Sequence, residues 1–305
     1  MDLLPALTDR FRSGEELAGE LGVTRAAVWK AAHALADDGY PVEADRASGY
    51  RLRPGTPSPG ALTPLLGGTF GHAYRYLGST GSTQDDLRVW TSEGAPEGAV
   101  VLVERQEQGR GRRGRTWESA SGTSLTFSLL LRPRIPVARL PLISLAAGVA
   151  LADAVDVGTL RWPNDLLAPD GRKLAGILVE SQTSGEDIDF VLVGIGLNVE
   201  PPTPGGAAAV SEFRPVARVE LLAAILTRLE AVGETLAEPG RVVKDWTARS
   251  TMLGRPVRAT TAQGELVGTA ERLDADGSLV LKTAAGSRAV SAGDVELIRE
   301  EGVAP

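Results

Sequence analysis

The sequence predicts an α+β protein with a helical N-terminal part, a mixed central part and an all-β C-terminal part. Apolar residues recur at helical spacing before residue 38, strand-like runs alternate with helical segments in the centre, and short strands with turn signals follow residue 251. A length of 305 residues suggests two or three domains. The predicted boundaries are 1–53 for the first domain, 54–64 for a linker, 65–250 for the central domain and 251–305 for a small β domain.

Composition excludes several kinds of site. The net charge is −7, so no general polyanion-binding surface is expected. The chain has no cysteine and two histidines, which excludes disulfides and structural zinc, and we predict no metal-ligating residues. It has no secretory signal pattern and no uncharged apolar window of 18 residues, so we expect a cytoplasmic protein without a membrane partner.

The N-terminal domain is predicted to be a winged helix. Three helices are expected, at 3–11, 13–21 and 24–38. Ser13 and Thr24 are the expected N-caps of the second and third helices, and Gly22 lies in the turn between them. Residues 40–52 alternate in polarity around a turn and predict the hairpin wing.

A winged helix predicts DNA binding through its third helix. The candidate contacts on that helix and on the wing are Thr24, Arg25, Trp29, Lys30, His33 and Arg46, with Arg51 and Arg53 as further phosphate contacts. Residues 1–53 carry seven basic and nine acidic side chains, whereas many DNA-binding modules are basic. A winged helix that serves dimerisation or regulation is therefore the alternative.

The linker has four prolines and two glycines, which predicts an extended segment. The central domain is expected to contain five strands, a strand end at 161–167 that is cut short by Pro163, three helices and one long loop. The strands are predicted at 74–77, 100–103, 125–131, 172–180 and 190–199, the helices after Ser82, at 140–155 and at 219–236, and the loop at 200–215. The tail is expected to form five strands, at 256–259, 266–273, 279–283, 288–290 and 295–298.

Residues 106–117 form the most unusual stretch, in which Arg110, Arg112, Arg113 and Arg115 alternate with glycines. Guanidinium groups bind phosphate or carboxylate in a bidentate manner, and glycine lets a ligand approach the backbone. The glycines also fit a dinucleotide-binding pattern, but a turn and a strand follow where that pattern needs a helix. A disordered nucleic-acid segment is a further alternative, which the flanking strand-like runs disfavour.

The motifs together resemble those of the bifunctional biotin protein ligase and biotin operon repressor family over essentially the whole chain. They are the arginine-rich stretch 109–115, Arg-Trp-Pro-Asn-Asp at 161–165, Lys-Leu-Ala-Gly-Ile at 173–177 and Gly-Ile-Gly-Leu-Asn at 194–198. The resemblance implies a class II synthetase-like mixed sheet in the centre and an SH3-like β-barrel at the C-terminus. Gln84 and Arg161 depart from the family pattern, which usually has Asn and Lys at those positions.

The resemblance also implies residue roles. The expected biotin-binding residues are Ser82, Thr83, Gln84, Gln106, Arg110, Gly111, Arg112, Lys173, Gly194 and Gly196. The expected adenylate-binding residues are Arg112, Arg113, Arg115, Trp117, Asn164, Asp165 and Asn198. The expected catalytic residues are Arg110, Arg112, Asp165 and Lys173. Taken alone, Ser82 and Thr83 could equally be ordinary helix caps.

The implied reaction activates biotin with ATP and Mg²⁺ as biotinyl-5'-AMP and transfers it to a lysine of the biotin carboxyl carrier protein of acetyl-CoA carboxylase. The implied further partners are operator DNA and a second copy of the chain, with the adenylate as co-repressor. The loops at 109–117 and 200–215 are expected to be mobile without ligand, since they are rich in glycine and proline and lack apolar anchors. The alternatives are a lipoate-type ligase, which needs no partners for a ureido ring, and a ligand-sensing repressor without catalysis.

Overall fold

The computed structural model describes residues 2–291 and 293–298. Its N-terminal unit contains α1 (Gly14–Leu21), α2 (Arg25–Asp37), β1 (Val42–Asp45) and β2 (Gly49–Leu52), as a winged helix requires. The Ser13 and Thr24 side chains accept hydrogen bonds from the first turns of α1 and α2, and Gly22 has a φ of 63°, so these three predictions are confirmed.

The predicted helix at 3–11 is wrong. Only the short 3₁₀ turn Leu4–Ala6 forms there. The chain then pairs with the wing instead, because Arg12 exchanges both backbone hydrogen bonds with Tyr50 and the Leu52 N–H donates to the Thr8 carbonyl.

The linker is not extended throughout. It contains the one-turn helix α3 (Pro59–Leu62) and the 3₁₀ turn Thr63–Leu65. Leu62 is fully buried in the central core, and Thr56 and Ser58 are also buried. The segment therefore packs on the central domain.

The central domain is built on a seven-stranded sheet of order β3-β4-β5-β9-β8-β7-β6, in which only β3 and β4 are parallel. Its strands are β3 (Tyr74–Thr80), β4 (Val100–Gln106), β5 (Ser124–Leu131), β6 (Thr159–Arg161), β7 (Asp165–Leu167), β8 (Lys173–Ser184) and β9 (Asp187–Asn198). The predicted strands are present, and several are longer than expected. The expected mixed sheet is confirmed.

The helices of this domain pack around the sheet. They are α4 (Thr83–Ser92), α5 (Leu140–Val155), α6 (Arg218–Glu230), α7 (Val232–Ala237) and α8 (Pro239–Ala248). The predicted single helix at 219–236 divides at Ala231 into α6 and α7. Helix α8 was missed, although Pro239 at its first position and the buried Val242 and Trp246 are usable signals.

Helix α5 forms the centre of the core, as the sequence predicts. Together with the turn before it, the segment Val137–Val155 is long and apolar enough to cross a membrane by length and composition alone. Ten residues of α5 are buried against the sheet and the neighbouring helices, an arrangement that is also usual for the core helix of a soluble domain.

The loop at 200–215 is anchored more firmly than expected. Ala208, Ala209 and Val210 are fully buried, and the Arg172 guanidinium donates to the Glu212 carboxylate. The expectation that this loop lacks apolar anchors is therefore wrong.

The C-terminal unit is an antiparallel sheet of order β13-β12-β11-β10-β14. Its strands are β10 (Pro256–Thr261), β11 (Gly264–Leu273), β12 (Leu279–Thr283), β13 (Gly286–Val290) and β14 (Asp294–Leu297), as predicted within one to two residues. The Trp162 indole N–H donates to the Gly277 carbonyl at 3.0 Å, which ties this sheet to the central domain. The end of the predicted domain, 299–305, lies outside the described residues.

Candidate functional site

A cavity of about 110 Å³ lies against β5, β8 and β9 and under the arginine-rich loop, which connects β4 to β5. Most of the predicted site residues line it. They are Ser82, Thr83, Gln84, Gln106, Arg110, Gly111, Arg112, Arg115, Trp117, Asn164, Lys173, Gly194 and Gly196. Residues distant in sequence thus converge on one site.

One end of the cavity carries neutral hydrogen-bonding groups. The Thr83 N–H and hydroxyl both lie within 3.1 Å of Gln106 Oε1, and the same hydroxyl is 2.8 Å from the Ser128 hydroxyl. Ser82 occupies the N-cap position of α4 but makes no side-chain cap hydrogen bond. The helix-cap alternative therefore does not explain why Ser82 and Thr83 stand there.

Gln84 lies deeper in the same wall. Its Nε2 donates to the Leu178 carbonyl at 3.0 Å and lies 3.0 Å from the point where a Cβ on Gly194 would stand. Glutamine is longer than the asparagine that is usual at this position, and its amide fits here because Gly194 on β9 has no side chain.

The other end of the cavity is cationic. The Lys173 ammonium is 2.7 Å from Asp165 Oδ1, and the Arg161 guanidinium is 2.5 Å from the other carboxylate oxygen. Burial is the largest single effect and would raise the pKa of Asp165, but the charges and hydrogen bonds of Lys173 and Arg161 together outweigh it, so the pKa is lowered. The carboxylate therefore stays ionised and holds Lys173 at the cavity.

Asn164 joins this cluster. Its amide donates to the Ile177 carbonyl at 2.8 Å, and its oxygen accepts from Arg112 at 3.4 Å. Asp165 is buried behind Lys173 and does not line the cavity, and neither does Asn198, which is buried at the end of β9. These two predicted residues stand beside the cavity.

Trp117 lies inside the cavity. A Cβ placed on Gly196 would stand 2.1 Å from the indole ring, and one placed on Gly176 would stand 3.5 Å from it. The indole N–H is buried without a hydrogen-bond partner among the described residues. Small-molecule pockets usually measure ~300 Å³ or more. The indole thus occupies space that a ligand would need.

The four loop arginines point in different directions. Arg110 donates to both carboxylate oxygens of Asp85 at 2.6 and 2.8 Å, and its guanidinium is 3.5 Å from Glu180. Arg113 has a φ of 56° and donates to the Thr260 carbonyl of the C-terminal sheet at 2.7 Å. Arg113 does not line the cavity in this structure, because it bonds this carbonyl of the neighbouring domain, and its expected role at the adenylate stays a prediction.

Several lining residues were not given roles from the sequence. They are Thr116, Thr126, Phe127, Ser128, Gly176, Ile177, Leu178 and Ile195. Three belong to β5, whose eight residues are all buried, so no alternation of polarity marks a ligand-facing side. Gly176, Ile177 and Ile195 lie within recognised motifs and could have been found there.

Most of the candidate DNA-binding side chains are exposed, and their role stays a prediction. Trp29 is 55% exposed, and its ring packs at a tilt of 37° against that of His33, with centroids 4.2 Å apart. Arg25, Lys30 and Arg46 are exposed, whereas the Thr24 hydroxyl caps α2. The two further candidates are already paired, Arg51 with Glu43 and Arg53 with Glu200.

The fold and cavity define a class of protein in which a winged helix and a small β domain flank a ligase-type mixed sheet. Three family models match in that order. They are the HTH domain at residues 3–51, the biotin/lipoate A/B protein ligase family at 77–198, and the biotin protein ligase C terminal domain at 252–298.

Relatives match over nearly the whole chain. The bifunctional ligase/repressor BirA of Bacillus spizizenii is 31% identical over 97% of each chain, and the biotin–[acetyl-CoA-carboxylase] ligase of Mycobacterium tuberculosis is 35% identical over 82% of this chain and 98% of its own. The biotin protein ligase of Aquifex aeolicus in complex with biotin and ATP has a TM-score of 0.61 at 28% identity, covering 75% of this chain and 100% of that one. The chain belongs to the biotin protein ligase family, among the bifunctional ligase/repressors named BirA.

Proposed function

We propose that this protein activates biotin with ATP as biotinyl-5'-AMP and transfers the biotinyl group to a lysine of a carrier protein. One observation carries the proposal: the cavity has neutral hydrogen-bonding groups at one end and Lys173 with Arg112 at the other. A ligand with an uncharged polar ring and a carboxylate tail matches that polarity.

The chemistry requires charge neutralisation more than a nucleophile on the enzyme. A carboxylate must meet the α-phosphate of ATP, and the two anions repel. Lys173 and Arg112 would stabilise the charge that develops between them, while Asp165 fixes the position of the ammonium. Ser82, Thr83 and Gln106 would hold the ureido ring, and Asn164 would stand at the adenylate.

Mg²⁺ would enter with the nucleotide. Among residues 2–291 and 293–298 no three His, Asp or Glu side chains group closely enough to hold a metal by themselves. Mg²⁺ is commonly bound by one or two carboxylates together with substrate phosphates, which is why we propose that the nucleotide itself supplies most of its ligands.

The remaining roles extend the same proposal. The acceptor would be the biotin carboxyl carrier protein of acetyl-CoA carboxylase, in the cytoplasm. The winged helix would bind operator DNA as part of a homodimer when the adenylate is present. The proposed domain boundaries are 1–53, 54–64, 65–250 and 251–305, and the matched family models, at 3–51, 77–198 and 252–298, each fall inside one proposed domain.

The test is to incubate the protein with ATP, Mg²⁺ and either biotin or lipoate, and to identify the acyl-adenylate by mass spectrometry. We expect biotinyl-5'-AMP and at most traces of lipoyl-AMP. If lipoyl-AMP is the main product, the substrate is lipoate and the proposal of a biotin ligase is wrong. Neither adenylate, from protein shown to be folded by its melting transition, would refute ligation and favour a repressor without catalysis.

A further inference from the structure

Helix α2 carries the most exposed tryptophan of the protein. Trp29 is 55% exposed, whereas the other four tryptophans are buried or half-buried. Tryptophan is enriched at interfaces, because its ring buries a large apolar area and its N–H finds a hydrogen-bond partner there. The exposed indole therefore identifies this face of α2 as a surface that contacts another molecule.

The indole is held in one orientation. His33, one helical turn further on, packs its ring against the indole with centroids 4.2 Å apart. The Nδ1 of His33 lies 2.8 Å from the Trp29 carbonyl oxygen, and because a carbonyl only accepts, Nδ1 carries a proton and donates. The imidazole is thus fixed to the backbone and supports one side of the indole. A side chain that is already held in place loses little conformational entropy when it binds a partner.

The charges around Trp29 favour an anionic partner. Arg25 lies one turn before it and Lys30 directly after it, and α2 has no acidic residue before Asp37 at its end. Arg25, Lys30 and Arg46 in the turn of the wing are exposed and form no ion pair with any residue that the structure describes. Three other basic side chains of the domain are already paired with glutamates, namely Arg12, Arg51 and Arg53.

Duplex DNA offers a surface with this combination of groups. A helix-turn-helix places the first turns of its second helix in the major groove, and Arg25 and Trp29 lie in the first two turns of α2. Among the base edges in that groove, the C5-methyl group of thymine is the apolar one, and phosphates border the groove on both sides. An indole flanked by cations matches a methyl group flanked by phosphates.

We infer that Trp29 reads thymine by packing its indole against the C5-methyl group of one base in each half of the operator, with His33 as a positioning residue. This contact rests on the proposed binding of operator DNA and names the base group that is recognised. Arg25, Lys30 and Arg46 supply affinity through phosphates, which carry no sequence information. Because residues 1–53 carry only seven basic against nine acidic side chains, few phosphates are contacted and selectivity depends on the bases.

The first experiment selects duplexes from a random-sequence library with the full-length protein, biotin and ATP. Each thymine of the selected duplex is then replaced by deoxyuridine, which lacks only the methyl group. One replacement in each half should raise the Kd about fourfold, the effect of exposing one methyl-sized group, and the others less than twofold. Equal affinity after every replacement would overturn the inference, as would a selected sequence without thymine. If the wild type retains no duplex above competitor, operator binding itself is refuted and the inference with it.

The second experiment compares variants on the selected duplex. Trp29→Ala should raise the Kd about tenfold, remove the deoxyuridine penalty, and leave the slope of log K against log salt unchanged. Lys30→Ala is the matched control, because Lys30 is the adjacent exposed residue on the same helix. It should weaken binding to all sequences, lower the magnitude of the salt slope by about one per protomer, and keep the deoxyuridine penalty.

His33→Ala tests the support of the indole. It should reduce the deoxyuridine penalty in part and leave the salt slope unchanged, because the freed indole packs less closely on the methyl group while no phosphate contact is lost. An undiminished penalty in Trp29→Ala or in His33→Ala would contradict the inference. So would a Trp29→Ala variant that binds the duplex as the wild type does but forms a weaker dimer in sedimentation, since a second copy of the chain would then be what covers the ring.

Discussion

Replacing Lys173 by arginine should disable adenylate formation although it conserves the charge. Lys173 Nζ lies 2.7 Å from Asp165 Oδ1 and 3.1 Å from the point where a Cβ on Gly176 would stand. The other Asp165 oxygen already accepts from Arg161. A compact ammonium fits this space and can also face a carboxylate and an α-phosphate oxygen.

A guanidinium is wider and would displace one of these groups. A shift of about an ångström is enough to cost on the order of 10²-fold in rate, or ~2.7 kcal/mol. The sequence supports the requirement for lysine, since 28 of its 32 basic residues are arginine, including the adjacent Arg172. We therefore expect kcat/KM to fall about 10²-fold in Lys173→Arg and at least as far in Lys173→Ala.

The assay is pyrophosphate release with biotin and ATP, with folding checked by thermal melting. Lys244→Arg on α8 is the matched control, because Lys244 is exposed and far from the cavity lining, and it should keep wild-type activity. The reasoning is wrong if Lys173→Arg keeps more than about half of the wild-type kcat/KM, a loss below ~0.4 kcal/mol.

Four further predictions concern the cavity, its loops and the wing. Gly196→Ala should displace the indole of Trp117, seen as a change in tryptophan fluorescence, and weaken biotin binding in titration. The loops at 109–117 and 200–215 should gain hydrogen-exchange protection when biotin and ATP are added. The gain in the loop at 200–215 should be smaller around its buried residues, and equal protection with and without ligand would refute the prediction. In a gel-shift assay over genomic fragments at low salt, one fragment should be retained above competitor only with adenylate present. The pKa of Asp165 is lower in the folded protein than in the unfolded chain, where it is about 3.9. Its ion pairs therefore stabilise the fold fully at pH values above about 3.9, and this stabilisation is lost as the pH falls through the lower pKa of the folded state. Urea unfolding should therefore show Lys173→Ala less stable by ~1 kcal/mol near pH 7, a gap that narrows below about pH 4.

Local signals in the sequence predicted the elements that they determine directly. Capping side chains located the starts of α1 and α2, and the uninterrupted apolar pattern located α5 at its observed bounds. The residues at 3–11 were misassigned because helical periodicity cannot reveal that a segment instead pairs with a distant strand. The long predicted helix at 219–236 is interrupted only at Ala231, where the apolar pattern gives no sign of a break.

The sequence predicted which residues belong to the site, but it did not predict how their side chains are arranged. The motifs brought Lys173, Asn164 and the hydroxyl residues to one cavity, as expected. The direction of each loop arginine depends on partners from other elements, such as Thr260 for Arg113 and Asp85 for Arg110. The buried pair Glu104–Arg218 gave no sequence signal, because two charged residues 114 positions apart look like ordinary surface residues.

The contact between Trp162 and Gly277 limits how far this protein could be shortened. The Trp162 indole is buried, donates to a carbonyl of the C-terminal sheet, and belongs to the same short motif as Asn164 and Asp165. A chain ending near residue 250 would expose that ring to water and leave its N–H without this acceptor, one residue before Pro163 and two before Asn164. A shortened version of this protein would therefore need to retain the last five strands, even though they contribute no residue to the lining of the cavity.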